Sequence, residues 1–243
     1  MKTLRFLAVS VMVVIGLLFG IHSTCLAVPY VEVAIFDLIG GGSVLVQDQG
    51  PGDLNLTVGV VVMSSSIGNW VVNVVTGVTY PINGSPAVPW LDLNSINATS
   101  TGGGRLAVAI DAIGYTGPIA GGKTGPFHFD AGGTVGGGGG SIDLFALYSA
   151  NNVLFGSGGG VLSQIGSLGT FTTGPFSGAT DTIAINGTTS PFRLGIQAEI
   201  NHLGAGTTSF DAELQGKIPE PISLILLGSG LAGAGLVRRW RKK

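Results

Sequence analysis

Between residues 28 and 216 the side chains able to do acid–base chemistry are twelve carboxylates and two histidines, His128 and His202. Glu199, Asp211 and Glu213 are the best placed to cooperate. On neighbouring strands, with carboxyls about 5–9.5 Å apart, two of them would form the acid and base of a glycosidase. They alternate with apolar residues, however, and charges on the polar side of a strand ordinarily keep a sheet wet. His128 alternates against Phe127 and Phe129 beside Asp130, and His202 closes an apolar run. Two isolated histidines read as surface residues, not as a ligand pair. No G-x-S-x-G turn and no H-E-x-x-H occurs, so the nucleophile elbow and the zinc-peptidase helix are both missing. The chain is therefore read as non-enzymatic, with a secreted hydrolase as the weaker alternative.

Residues 117–124, Gly117 to Thr124, satisfy G-x-x-x-x-G-K-T in full. A phosphate loop of that pattern needs a helix starting at the Lys-Thr pair, so that backbone N–H groups and the helix dipole point at the phosphates. Here Gly125-Pro126 and an alternating stretch from Phe127 follow, which is a strand context. In a chain with 43 glycines the match is accidental, and no nucleotide is expected as a partner. Residues 138–146 approximate the calcium nonapeptide, with Ser141 where Gly is wanted, but that motif works only in tandem. Asp48, Asp53 and Asn55, around Gly50-Pro51-Gly52, are weak calcium candidates, because carboxylates and carbonyls on a Gly-rich loop suit a hard cation. Asx turns account for the same residues without an ion. No other metal and no cofactor is expected.

Trp70, Tyr80, Trp90 and Tyr115 are the larger amphipathic rings of the body. Two or three exposed on one surface would stack sugars, and a cluster of Trp90, Tyr80 and Tyr115 would mark a carbohydrate-binding module. Trp70 begins a Val-rich run and is expected in the core.

The elements that must position these residues are strands. Phe192–His202 puts Leu194, Ile196, Ala198 and Ile200 on one face, and Arg193, Gln197, Glu199 and Asn201 on the other. Residues 209–215 repeat the pattern, with Phe210, Ala212 and Leu214 inward. Similar runs cover 30–38, 43–47, 54–63, 70–80, 91–98, 105–113, 127–131, 141–148, 169–173 and 182–186, separated by Gly-rich turns. No run sustains a helical period. About a dozen strands of this kind predict an all-β body over 28–216, an antiparallel β-sandwich or jelly roll. Gly and Pro supply 43 and 11 of 243 residues, just under the level of about 25% at which disorder becomes the default. An apolar fraction of 45% keeps the body on the folded side. Its twelve acidic side chains face only Arg105, Lys123 and Arg193, a formal net charge of −9. A surface so acidic lacks the basic footprint of a nucleic-acid binder, and no nucleic acid is expected.

Two apolar segments bracket the body. Lys2 and Arg5 precede an apolar stretch over 6–21, and Cys25-Leu26-Ala27 places small residues at the minus-three and minus-one positions. Residues 1–27 read as a helical signal peptide cut after Ala27. No lipobox precedes Cys25, and its removal leaves no disulfide or thiolate site. At the other end Pro219-Glu220-Pro221 leads into an apolar run over 222–237, then Arg238, Arg239, Trp240, Arg241, Lys242 and Lys243. Sixteen helical residues rise about 24 Å, short of a roughly 30 Å hydrocarbon core. Snorkelling arginines and an interfacial Trp240 make up the difference, which predicts a transmembrane helix over 222–237. The basic anchor (Arg238, Arg239, Arg241, Lys242, Lys243) stays in the cytoplasm and leaves the body outside. Pro219 and Pro221 hold an extended stretch just ahead of the helix.

The P-E-P signature, apolar run and basic cluster stand in order, with an export signal at the other end. Residues 217–243 thereby resemble the PEP-CTERM sorting domain of bacterial exported proteins. The resemblance covers the tail alone, and the body is not recognised as any family. It implies that an exosortase in the inner membrane cleaves near Pro219-Glu220-Pro221, so that enzyme and membrane are transient partners. It further implies a final location at the cell surface or in the extracellular matrix. That sorting system is associated with exopolysaccharide and biofilm matrix, which makes extracellular polysaccharide an expected partner.

Overall fold

Alternating apolar residues bury one side of a strand and wet the other, and the body repeats that pattern often enough to close two sheets face to face. The computed structural model describes residues 30–217, except 118, 121, 138, 159, 161 and 188–190, and only the backbone of 74, 75 and 120. Ala27 and the signal segment, Pro219, Glu220, Pro221, the helix expected over 222–237, and Arg238, Arg239, Arg241, Lys242 and Lys243 lie outside the described residues. Among the described residues no helix is long and apolar enough to cross a membrane.

In chain order the strands are β1 (Val31–Asp37), β2 (Ser43–Gln47), β3 (Val60–Ile67), β4 (Trp70–Val78), β5 (Trp90–Ser100), β6 (Gly104–Tyr115), β7 (Ile119–Ala120) and β8 (Lys123–Thr124). There follow β9 (Phe127–Gly136), β10 (Gly140–Ser149), β11 (Ser163–Thr172), β12 (Gly174–Asp181), β13 (Ile185–Asn186), β14 (Phe192–His202) and β15 (Gly206–Gly216). One six-stranded sheet has the order β11-β10-β14-β6-β1-β2, and a second has the order β12-β9-β15-β5-β4-β3. All the pairings within both sheets are antiparallel. The orders correspond place by place, because β2/β3, β5/β6, β9/β10, β11/β12 and β14/β15 are sequence neighbours that cross from one sheet to the other and touch. The two expected architectures are one here: the body is a sandwich in which β5-β15-β9-β12 faces β6-β14-β10-β11, the strand order of a jelly roll. A small β13-β8-β7 sheet lies beside it.

The core is the shared inner face. Val31, Val33 and Ile35, Leu106, Val108 and Ile110, and Leu194, Ile196, Ala198 and Ile200 fill one side. Leu91, Leu93 and Ile96, Phe127 and Phe129, and Phe210, Ala212 and Leu214 fill the other. Each such large side chain, taken from water, contributes about 1.5–3 kcal/mol. The alternation read in 192–202 and 209–215 holds in β14 and β15.

Three runs are placed differently. The run expected over 54–63 becomes a strand only at Val60, because Asp53 gathers the preceding residues into a loop around its carboxylate. The run expected over 169–173 is the end of a longer β11, which pairs with β10 before the chain crosses to β12 in the other sheet, and that over 182–186 keeps only Ile185–Asn186.

Candidate functional site

β15 lies inside its sheet, bonded to β9 on one side and β5 on the other. It ends at Gly216, whose N–H donates to the Pro89 carbonyl at 2.7 Å. The next residue, Lys217, donates through Nζ to Asp181. His128 Nδ1 lies 3.1 Å from the same carboxylate, and its Nε2 lies 3.6 Å from Asp130. Hydrogen bonds from Lys217 and His128 hold the exposed Asp181 carboxyl below the usual range. His128 is the partly exposed residue expected, and this chain of charges fixes the point where the tail leaves the body.

The same outer face carries a row of like charges. Asp92 on β5 and Asp130 on β9 each stand opposite Glu213 on β15, a pairing that costs stability unless protons or cations relieve it. Burial, then the neighbouring Asp211, pushes Asp92 up to about 6. Burial, then Asp130 and Asp92, raises Glu213, which Trp90 partly offsets. The Trp90 indole N–H approaches Glu213 without completing a hydrogen bond. Among the described residues no three His, Cys, Asp or Glu side chains are grouped to hold a metal ion.

The outer face of the other sheet hides three charges. Glu32, Asp111 and Arg193 are each fully shielded from solvent. Glu32 stands opposite Asp111 across β1 and β6, and Arg193 lies 3.4 Å from Asp111. The guanidinium donates to the carbonyls of Val153 and Gly160 and sits over the Phe155 ring. Glu32 accepts the Gly156 N–H at 3.0 Å and the Gln47 amide at 2.9 Å. Neither oxygen of Asp111 completes a hydrogen bond. Burial, then Glu32, pushes Asp111 up to about 8 against the pull of Arg193. Together they pin the segment between β10 and β11 onto the sheet, which marks a structural clamp with no access for a substrate.

The residues singled out from the sequence are scattered. Glu199 pairs with Arg105 in the first sheet, whereas Asp211 and Glu213 belong to the second, so no two-carboxylate cleft spans them. Asp53 accepts the N–H groups of Gln49, Asn55 and Val62, and Asn55 accepts that of Thr57. Asp48 accepts the Gly59 N–H, and its other oxygen is buried without a partner. These are loop-building Asx contacts. Thr124 of the phosphate-loop pattern lies buried in β8, its hydroxyl donating to the Gly187 carbonyl, and a strand follows it. Of the aromatic residues, Tyr115 is fully buried with its hydroxyl on Thr79, and Tyr80 and Trp90 are half-buried. The exposed ring cluster that would have marked a sugar platform does not form.

His202 is a correction: it is buried, not at the surface. Its Nδ1 meets the Ser100 hydroxyl and its Nε2 the Thr208 hydroxyl, both at 2.8 Å, and its ring lies 4.8 Å from that of Trp70. Burial holds it below the ordinary histidine value. Trp70 in turn lines a cavity of about 210 Å³ with Asp37, Asn69, Gly40, Gly68 and Gly104. Asp37 was missed as a candidate because it closes an apolar run, where an acid reads as a strand end. One oxygen, Oδ1, accepts the N–H groups of Ile39 and Gly40 at 3.0 and 2.8 Å. Glu32, Asp111 and Arg193 were also missed, and a charge set between apolar neighbours is the signal that would have found them.

Residues 217–242 match the PEP-CTERM protein-sorting motif. No curated protein matches the chain. Among solved structures it is similar to TmCBM61 in complex with beta-1,4-galactotriose, with 12% identity and a TM-score of 0.31, covering 61% of this chain and 88% of that one. It is also similar to a loop-swap mutant of Necallimastix patriciarum Xyn11A, with 9% identity and a TM-score of 0.22, covering 61% and 92%. Likeness at that level says nothing of what this chain binds.

Proposed function

We propose that this chain is an exported, non-enzymatic β-sandwich protein that an exosortase cuts near Pro219-Glu220-Pro221, releasing the body to the cell surface or extracellular matrix in association with exopolysaccharide. One observation carries the reading: the last strand among the described residues closes at Gly216, and the sorting motif begins at Lys217. The described strands thus end where the address starts, and cutting at the P-E-P signature leaves each of them intact. The non-enzymatic part is supported by the separation of Glu199 from Asp211 and Glu213 and by the engagement of both histidines.

Intact-mass spectrometry of the culture medium and the membrane fraction tests it. Wild-type protein is expected to begin near Val28 and to lack the residues beyond the P-E-P signature. The double variant Pro219→Ala/Glu220→Ala is expected to stay full-length in the membrane. Full-length protein retained equally in both strains would sink the proposal. A second reading, a carbohydrate-binding module, is favoured by the cavity at Asp37 and Trp70.

A further inference from the structure

The cavity at Asp37 and Trp70 carries two polar atoms that the protein leaves free. Trp70 is 1% exposed and Asp37 8%. Neither the Trp70 indole N–H nor Asp37 Oδ2 has a hydrogen-bond partner among the described residues, yet neither is sealed from solvent. A nearly buried donor and a nearly buried acceptor thus share one opening, and polar atoms so placed are ordinarily satisfied.

Glycines keep that opening clear. A Cβ at Gly68 would fall 2.2 Å from Asp37 Oδ2, one at Gly40 2.4 Å, and one at Gly104 3.1 Å from Trp70 Nε1. Gly68 and Gly104 also take φ values of +54° and +134°, which side chains with a Cβ rarely adopt. Both free groups are held in place. Asp37 is fixed through Oδ1, and Trp70 is packed on His202, itself fixed by Ser100 and Thr208. A site held this firmly gives up little freedom when it is filled.

We infer that this cavity binds a single residue of a neutral sugar through its hydroxyls. A hydroxyl both donates and accepts, so adjacent hydroxyls of one ring answer a carboxylate oxygen and an indole N–H together. An ammonium would answer only the acceptor. An anion would meet Asp37 in a body of net charge −9. One water, with a share of about 30 Å³, leaves most of the 210 Å³ unfilled.

The position supports the choice. Trp70, Ser100 and Gly206 pair in one row across β4, β5 and β15, at the start of β15. The tail follows Gly216 at its other end, about 33 Å away at about 3.3 Å per residue. The cavity therefore lies at the end of the sandwich remote from the tail. This inference rests on the sugar-binding reading and is independent of exosortase cutting.

The test uses the full chain in a detergent without a sugar head group. Its three tryptophans, Trp70, Trp90 and Trp240, give three indole N–H resonances in ¹⁵N-labelled protein. These are followed while free hexoses, linear oligosaccharides and cyclic oligosaccharides are added. A saturable shift of the Trp70 resonance is expected with free hexoses or linear chains, which separates a free sugar from a chain-end residue. Cyclic sugars have no end to insert and are expected to leave it unmoved. Trp70→Phe and Asp37→Asn, checked for an unchanged urea midpoint, are expected to weaken binding about fivefold and more than tenfold, the size of one lost neutral and one lost charged hydrogen bond. Sugar binding that leaves the Trp70 resonance still, or equals wild type in both variants, overturns the cavity while leaving the sugar-binding reading. No saturable binding of any sugar at 100 mM, roughly a hundredfold above the upper range of weak sites, overturns both, and the intact-mass result stands apart from either.

Discussion

Arg193 and Asp111 lie 3.4 Å apart with both side chains wholly shielded from solvent. With Asp111 raised to about 8, the guanidinium also serves the buried Glu32, and removing it leaves that carboxylate without a cation. Arg193→Met also frees the carbonyls of Val153 and Gly160. The variant is expected to lose about 3–5 kcal/mol in urea denaturation. Asp111→Asn keeps the shape, removes the repulsion from Glu32 and is expected to lose far less. Equal losses would show that the charge of Asp111 matters more than the carbonyls Arg193 caps.

Stability should fall as pH rises from about 4 to 8. Asp111 is raised to about 8 and Asp92 to about 6, against an unfolded value of about 3.9. An acid whose pKa is raised by folding favours the neutral form in the native state. Its contribution is complete below the unfolded pKa and is lost as pH climbs through the folded one. Asp48 and Glu213 shift in the same direction. Asp181, shifted the other way, loses its contribution only as pH falls below the ordinary carboxylate range. His202, lowered by burial, works against the trend by adding stability as pH rises toward the ordinary histidine value, a single group against the four raised acids. Urea midpoints at one-unit steps from pH 4 to 8 read the trend, and Asp92→Asn should flatten it between pH 4 and 6. A midpoint that climbs toward pH 8 would contradict this account.

Asp53 organises the β2–β3 loop through three backbone N–H groups. Asp53→Ala strands those donors, one of them on Val62 in β3, and is expected to cost about 1–3 kcal/mol. Because the carboxylate is already engaged, excess EDTA or millimolar calcium should leave the wild-type melting temperature within about 1 °C, well inside the 2–4 °C that 1 kcal/mol moves a domain of this size. A rise of several degrees with calcium would reinstate an ion on the loop.

Gly133 lets β9 approach β15 closely. A Cβ there would fall 2.2 Å from the Ser209 carbonyl oxygen and 2.8 Å from Phe210 Cα, both backbone atoms. Gly133→Ala is therefore expected to lower stability by about 1–3 kcal/mol through overpacking. Gly122→Ala gives the contrast, since nothing lies within 4 Å of its Cβ position and only its φ of +75° opposes the change. Near-identical urea midpoints would show that the strands can part without cost.

How far the sequence announced the fold depended on where the apolar residues fell. β14 and β15 were legible because large apolar residues alternate with charged or amide ones. β12 was not, since Gly174–Asp181 offers only Phe176 among small and polar residues. Its place is set by pairing with β9 and by the stacking of Phe176 on Phe171, 4.6 Å apart. The tail was legible as an ordered string of residue types. The cavity was not, because it is assembled from three turns distant in sequence, and the feature that matters at Trp70 is one N–H left without a partner. Tyr115 and His202 misled for one reason: hydroxyl partners at Thr79, Ser100 and Thr208 let polar rings be buried.

The place of β15 inside its sheet bears on mechanics. Any tension applied through a membrane tether reaches this strand first, and its two neighbours share the load along most of its length. An edge strand would unzip bond by bond, whereas this one must break both ladders before it comes free. A pull through Lys217 would therefore meet the body at one of its best-supported strands.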